Sequence, residues 1–103
     1  MANANPPTKN QAFYFYVTLR DTTDSFSIKS SPTIAAGDFK VSTDGGAFAN
    51  LTTLPAVTPA SSVGVKISLS ATEMNGDQVL VVWQDQTDPK EWVSDSLCIN
   101  TTA

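Results

Sequence analysis

Three residues with carboxylate side chains lie close together in the sequence near the C-terminal end of the chain. Such side chains can act in catalysis or bind a metal ion. The three residues are Asp85, Asp88 and Glu91. Two carboxyl groups that face each other across a cleft could act as general acid and base, as in glycoside hydrolysis. Carboxylate and carbonyl oxygens could instead bind Ca²⁺. Because a small domain rarely forms such a cleft and the sequence lacks an Asp-x-Asp-x-Asp-Gly ladder, we expect a solvated acidic turn.

The chain contains no histidine and a single cysteine, Cys98. Histidine is the usual general base and the commonest metal ligand, and a metal site made of cysteines needs several of them. We therefore predict that the chain is not an enzyme and that it holds no cofactor and no metal ion. Cys98 lies in an apolar run, which predicts a small buried side chain, with an intermolecular disulfide as the alternative.

Charge and composition limit the class of partner. The chain has 103 residues, a net charge of −4 and only six basic residues, which are scattered along the sequence. This distribution opposes binding to phosphates, so nucleic acid and anionic membranes are not expected partners. The N-terminal residues contain no apolar run of the signal-peptide type, so we expect synthesis in the cytoplasm of the producing cell.

Alternation of apolar and polar residues indicates strands along the whole chain. The segment 63–70 alternates cleanly, whereas the segment 78–83 is apolar on both faces, which predicts a central strand. The proline-containing segment 51–62 should cross from one sheet to the other. The predicted strands are residues 13–20, 25–29, 38–43, 47–49, 63–70, 78–83 and 92–100.

These strands predict an all-β fold. The expected architecture is an immunoglobulin-like β-sandwich of about seven short strands, with a small jelly-roll as the alternative. A single domain should span residues 11–103, preceded by a flexible or docking arm at residues 1–10. Trp83, in the central strand, is expected in the core.

Two turns have sequences that favour a tight bend. The first is Asp44, Gly45 and Gly46. No helix and no Lys-Ser/Thr pair follows it, so it is a hairpin turn and not a phosphate-binding loop. The second turn ends the segment 70–77, called the corner below, with Asn75, Gly76 and Asp77. The corner resembles the one between the E and F strands of immunoglobulin-like domains, although the tyrosine common there is absent.

Aromatic residues and the arm are the candidate contacts with a partner. Tyr14 and Tyr16 lie on the more polar face of the first predicted strand, where a neighbouring subunit or a sugar could cover them. For Trp92 a place in the core and a place in an interface both stay open. The arm is either a frayed terminus or a segment that adds to a neighbour. The candidate interface residues are Asn3, Asn5, Pro6, Pro7, Tyr14, Tyr16 and Trp92.

Residues 38–51 and 69–74 carry two sequence motifs. They read D-x-K-x-S-x-D-G-G-x-F-x-N-L and L-x-A-T-E-M. In these motifs the chain resembles the small β-sandwich domains of virion structural proteins of tailed bacteriophages. The matching positions are turn glycines and core apolar residues, so the resemblance implies a scaffold and transfers no catalytic residue.

The resemblance implies a role in assembly and a place in the virion. It implies a capsid decoration or cement protein that binds the major capsid protein, and other copies of itself, on the outside of the head. The alternative is a tail-tip, baseplate or fibre module, with adhesion to host-surface carbohydrate. Because the domain fills the sequence without a coiled coil or fibre repeat, we expect the decoration role.

Overall fold

Alternating β-branched and aromatic residues form the strands in a computed structural model that describes residues 6–23, 27–86 and 89–102. The strands are β1 (Phe13–Thr18), β2 (Phe39–Thr43), β3 (Ala49–Asn50), β4 (Ala56–Val57), β5 (Gly64–Leu69), β6 (Gln78–Trp83) and β7 (Asp95–Asn100). These ranges contain no helix.

The strands form two antiparallel sheets. One sheet has the strand order β1-β5-β4, and the other has the order β3-β2-β6-β7. Buried side chains from both sheets belong to one hydrophobic cluster, so the sheets pack face to face. The predicted all-β sandwich of about seven strands is confirmed. Strand β6 lies between β2 and β7, in agreement with its two apolar faces.

Strand alternation decides which side chains fill the core. The buried residues of β5 are Val65, Ile67 and Leu69. Within the four-stranded sheet, Phe39 stacks on its cross-strand partner Trp83 with 5.7 Å between the ring centroids. Trp92 packs on the same phenylalanine, also with 5.7 Å between the centroids. Full burial of one such apolar side chain contributes about 1.5–3 kcal/mol, so this aromatic group is a large part of the stability.

Strand β1 ends earlier than the alternation predicts. The predicted strand reaches residue 20, whereas β1 ends at Thr18. Beyond it, Arg20 pairs with Ile28 and Asp21 pairs with Trp92 through isolated bridges, so the backbone turns towards two other segments. In the predicted strand 25–29, residues 25 and 26 lie outside the described ranges, and Ile28 contributes only its bridge.

Three other segments differ from prediction in extent. The predicted helical turn at 70–74 is a hydrogen-bonded turn in which Met74 N donates to Ser70 O at 3.0 Å. The crossing segment 51–62 contributes the short edge strand β4. The last strand begins at Asp95 and not at residue 92. Each segment has the expected place in the fold, and only its length differs.

The prediction that Cys98 is buried is wrong. Cys98 is exposed, and it lies on β7, an edge strand of the four-stranded sheet. Its register partner is Leu80, on the outer face of β6. Because successive side chains of a strand point to opposite faces, Ile99 is buried while Cys98 points outwards. The apolar run is therefore divided between two faces.

Residues 7–10, called the N-terminal strap below, lie against the C-terminal end of the same chain. Thr8 and Thr102 form a parallel bridge. Lys9 N donates to Thr102 O at 2.8 Å, and Thr102 N donates to Pro7 O at 2.9 Å. The described part of the arm is thus held by its own domain.

The strap also contacts the corner. Asn10 N donates to Met74 O at 3.0 Å. The Lys9 ammonium lies 2.5 Å from the Asp77 carboxylate. These two contacts tie the first described residues to the turn that precedes β6. The arm residues that lie outside the described ranges include Asn3 and Asn5.

Candidate functional site

The acidic turn after β6 is built around a buried carboxylate. Asp85 is 0% exposed. Its Oδ2 accepts a hydrogen bond from Glu91 N at 2.6 Å, and the Lys90 ammonium donates to its backbone oxygen at 2.5 Å. The prediction of a solvated turn is therefore wrong for Asp85, because this carboxylate holds the loop from inside. Asp88 lies outside the described ranges.

A second buried carboxylate, Asp38, precedes β2, and the sequence motifs give it no role of its own. Its Oδ1 accepts from Gln86 N at 3.0 Å, and its Oδ2 accepts from Ala35 N at 2.9 Å. Its backbone oxygen accepts from Gln84 N at 2.9 Å. Two loops are thereby joined at the start of β2. The only sequence signal is an Asp beside a turn, where its side chain commonly bonds to nearby backbone.

Backbone N–H groups donate hydrogen bonds to the carboxylates in this part of the fold. Glu91 Oε1 accepts from Thr33 N at 3.2 Å, while Trp92 Nε1 donates to Thr33 O at 3.2 Å. A buried carboxylate is tolerated when such hydrogen bonds replace those it had with water. Within the described ranges, no three His, Cys, Asp or Glu side chains are grouped to hold a metal ion. The arrangement holds loop 31–38 against residues 84–86 and 91–92.

The hairpin after β2 has the geometry that its sequence favours. Asp44 and Gly45 have φ values of 51° and 76°. Gly46 N donates to Thr43 O at 3.0 Å, which closes the turn. Positive φ at both central residues is typical of the type I′ turn, whose twist matches that of the flanking strands. Residues 43–46 therefore form a tight hairpin turn.

The hairpin turn and the corner form one unit. Asp44 Oδ1 accepts from Asp77 N and from Gln78 N, both at 2.9 Å. In return, Asp44 N donates to Gln78 O at 2.8 Å. A carboxylate that accepts two backbone N–H groups makes charge-assisted bonds, which are stronger than neutral ones. Two turns that are far apart in the sequence thus hold each other.

Gly76 lies where the two turns touch most closely. A Cβ built on this residue would lie 2.7 Å from Asp44 Oδ2 and closer still to Thr43 Cγ2. Its backbone oxygen accepts from Thr101 Oγ1 at 2.5 Å, so the last strand holds it as well. Glycine is needed here because the neighbouring atoms leave no room for a side chain. Sequence reasoning found the residue but not this cause.

Glu73 explains how the corner is held without the tyrosine common in such corners. Its Oε1 accepts from Ser70 N at 2.7 Å, and Ser70 Oγ accepts from Glu73 N at 3.2 Å. Its Oε2 accepts from Thr52 N at 3.0 Å, and its backbone oxygen accepts from Thr43 Oγ1 at 2.8 Å. The Ser-x-x-Glu spacing is that of a capping box, a signal that could have identified this residue from sequence.

The outer face of the three-stranded sheet carries an exposed aromatic pair. Tyr14 and Tyr16 alternate with the half-buried phenylalanines of β1, and they are 36% and 54% exposed. Their rings meet edge to face with 6.2 Å between the centroids. The Lys66 ammonium lies 4.5 Å from the centre of the Tyr14 ring. We call Tyr14, Tyr16 and Lys66 the tyrosine face.

Two concave regions lie elsewhere on the surface. The larger, of about 430 Å³, lies between the ends of β1 and β7, with Arg20 and Asp95 among its lining residues. The smaller, of about 190 Å³, has an apolar wall that includes Phe39, Leu51 and Leu54. Neither of these two regions includes a residue of the tyrosine face.

The structure does not bring the predicted interface residues together. Tyr14 and Tyr16 are exposed on a sheet face, while Pro6 is exposed and Pro7 is buried in the strap. Trp92 is 0% exposed, so it belongs to the core and not to an accessible interface. Its bridge to Asp21 and its packing on Phe39 account for this burial.

Lys9 has a clearly altered affinity for its proton. The hydrogen bond from Lys9 to the Asp77 carboxylate, with the attraction between the two charges, raises the pKa of Lys9 above its ordinary value of 10.5. The pair joins the strap to the corner, so the charge of Lys9 supports the same unit that Asp44 organises.

Comparison with protein-family models, curated proteins and solved structures finds no match to this chain. The described ranges include no helix that is long and apolar enough to cross a membrane.

Proposed function

We propose that this chain is a structural protein of a bacteriophage particle and acts as a decoration protein on the outside of the head. Its partners are the major capsid protein and further copies of itself. The proposal starts from the resemblance of residues 38–51 and 69–74 to virion β-sandwich domains. Those two motifs lie side by side here, because Asp44 and Glu73 link the hairpin turn to the corner.

The tyrosine face is the observation that carries the proposal. Tyrosine is enriched in protein interfaces because it offers a large apolar area and a polar end with little conformational freedom to lose. In this chain it stands on the outer face of a sheet, 54% exposed in the case of Tyr16, while the core is filled by other aromatic residues. We assign this face to the contact with the shell.

The strand order supports an immunoglobulin type of sandwich. Such domains place strands A, B, E and D in one sheet and C, F and G in the other. The order β1-β5-β4 fits B-E-D, and the order β3-β2-β6-β7 fits C′-C-F-G.

Symmetry explains how so small a contact could stabilise a head. A closed shell repeats the same binding site many times, so one weak contact recurs at every equivalent position. Copies that also touch each other gain from high effective concentration once they are bound. Strong binding by one isolated copy is therefore unnecessary.

The test is binding of the purified chain to heads from the source particle that lack it, measured by co-sedimentation. We expect saturation at a copy number that follows the symmetry of the shell, and strong loss of binding with Tyr16→Ser. The matched control is Leu97→Ser, which removes an exposed apolar side chain on β7, in the other sheet. Location only in tails, or equal binding by the two variants, contradicts the proposal.

A second candidate is a tail-tip, baseplate or fibre module that adheres to host carbohydrate. The observation in its favour is again Tyr16, since a sugar ring can stack on an exposed aromatic ring beside a cationic group such as Lys66. Trp92 cannot serve this role, because it is buried. Glycan binding that is lost in Tyr16→Ser, without binding to heads, would favour this candidate.

A further inference from the structure

The corner presents an asparagine followed by a glycine that the fold requires. Asn75 is exposed at the tip of the corner, whereas Gly76 is buried. A Cβ at position 76 would overlap the side chains of Thr43 and Asp44, so any larger residue there would have to displace them. A glycine after an asparagine leaves the backbone nitrogen without a neighbouring side chain to hinder its reaction with the asparagine amide.

We propose that Asn75 is a site of spontaneous deamidation and that the contact between Asp44 and the corner controls its rate. Gly76 N loses its proton to a solvent base and attacks Asn75 Cγ, which forms a new C–N bond and a cyclic imide. The original bond from Cγ to the side-chain nitrogen breaks, and that nitrogen leaves as ammonia after taking up a proton. Water then opens the imide to aspartate or isoaspartate.

The folded corner holds the attacking nitrogen away from this reaction. Gly76 N donates its proton to Met74 O at 3.0 Å, so the nitrogen is engaged and directed towards another group. The hydrogen bond from Thr101 Oγ1 to Gly76 O fixes the same peptide plane. The reaction therefore requires local opening of the corner, which occurs with a free energy set by the contacts that must break.

Asp44 opposes the reaction in two ways. Its carboxylate holds Asp77 N and Gln78 N, so the corner cannot open until these bonds break. Its Oδ2 also lies close to Gly76, where a negative charge disfavours the amide anion that attacks. Removing this carboxylate should therefore accelerate deamidation.

The product would not fit the corner as well as asparagine does. Aspartate adds a negative charge near Asp44, Glu73 and Asp77, and isoaspartate also lengthens the backbone by one carbon. Like charges in one turn repel each other, and a longer backbone shifts the atoms that Asp44 binds. Deamidation would thus loosen the hairpin turn, the corner and the strap together, and it would do so irreversibly.

The experiment compares deamidation of the full chain and two variants during incubation at mildly alkaline pH, followed by peptide mapping and mass spectrometry. The test variant is Asp44→Gly, since glycine accepts the positive φ of this position and removes only the carboxylate. The matched control is Asp95→Gly, which removes a carboxylate that accepts Ser96 N at 2.8 Å on β7. We expect the rate at Asn75 to rise on the order of tenfold in the test variant and to stay unchanged in the control.

Two further measurements decide the outcome. The chain unfolded in urea should react much faster than the folded chain, and Asn75→Gln should abolish the new product. Equal rates in the folded and unfolded wild-type chain, or equal rates in Asp44→Gly and the control, would overturn the proposal.

Discussion

The carboxylate of Asp44 accepts the backbone N–H of Asp77 at 2.9 Å, so a turn in the first half of the chain holds the turn that precedes β6. The same oxygen accepts Gln78 N at the same distance. Opening of either turn therefore breaks hydrogen bonds that hold the other turn.

Replacement of Asp44 should destabilise the fold by an amount that depends on the new residue. Hydrogen bonds to a charged group are worth about 1.5–3 kcal/mol, and alanine at positive φ adds about 1–2 kcal/mol of strain. We expect Asp44→Ala to lower the free energy of unfolding more than Asp44→Gly does. Urea denaturation measures both, and identical midpoints would contradict the role assigned to φ.

Gly76→Ala should destabilise the chain by about 1–3 kcal/mol, because its methyl group would force apart Thr43 and Asp44. Gly46→Ala is the matched control, since a Cβ built on Gly46 would lie 3.2 Å from its nearest atom, Thr43 O. The control should have the smaller effect on thermal unfolding. A tolerated alanine at position 76 would mean that the two turns do not approach as closely as described.

Replacement of Trp92 should lower the stability strongly, whereas replacement of Tyr16 should change it little. Trp92→Ala removes a fully buried ring and should lower stability by about 3–5 kcal/mol. Tyr16→Ala removes an exposed ring and should change stability by less than about 1 kcal/mol. Chemical denaturation of both variants measures this difference in stability. Similar losses from both variants would contradict the assignment of Trp92 to the core and Tyr16 to the surface.

Cys98 should react with a thiol reagent in the folded protein. Its side chain is exposed on edge strand β7, so the reagent needs no unfolding to reach it. We expect the thiol titrated under native conditions to equal that titrated in urea. Reaction only after denaturation would restore the buried side chain that the sequence predicts.

The pair of Lys9 and Asp77 should make stability depend on pH at the alkaline end. The folded state raises the pKa of Lys9, chiefly through its hydrogen bond to Asp77. Its contribution is therefore present below the ordinary lysine value of 10.5 and is lost as the pH rises through the folded-state pKa. Lys9→Gln should be slightly less stable than wild type at neutral pH and equal to it at strongly alkaline pH.

Salt provides a check on the same pair. The side chains of Lys9 and Asp77 are 38% and 78% exposed, so added salt should reduce the difference in stability between wild type and Lys9→Gln. Lys29→Gln is the control at another position of the chain. If wild type stays more stable than Lys9→Gln at both high pH and high salt, the cause is lost packing of the strap and not lost charge.

Local sequence was enough to identify most strands and the hairpin. The alternation in 63–70 has the same phase as the buried residues of β5, and the doubly apolar segment 78–83 is central strand β6. The positive φ at Asp44 and Gly45 agrees with an Asp-Gly turn. These features depend on neighbours a few residues away, which a sequence displays directly.

Three residues were misplaced or left undecided because tertiary packing, and not the character of their neighbours in the sequence, sets their burial. Asp85 is polar and lies in a turn, yet it is buried and its carboxylate accepts Glu91 N. Cys98 has apolar neighbours, yet it is exposed because its side chain points to the outer face of β7. Trp92 is in the core because Asp21 pairs with it and Phe39 packs on it.

The sequence by itself determined an all-β chain with strands at these positions, because a period of two is a local property of the backbone. It also determined that no histidine is available for chemistry. Only the tertiary structure decided that Asp44 meets the corner and that the tyrosines, and not Trp92, remain at the surface. Strand order and sheet packing set these contacts, since they join residues that are distant in sequence and select which face of each strand is covered.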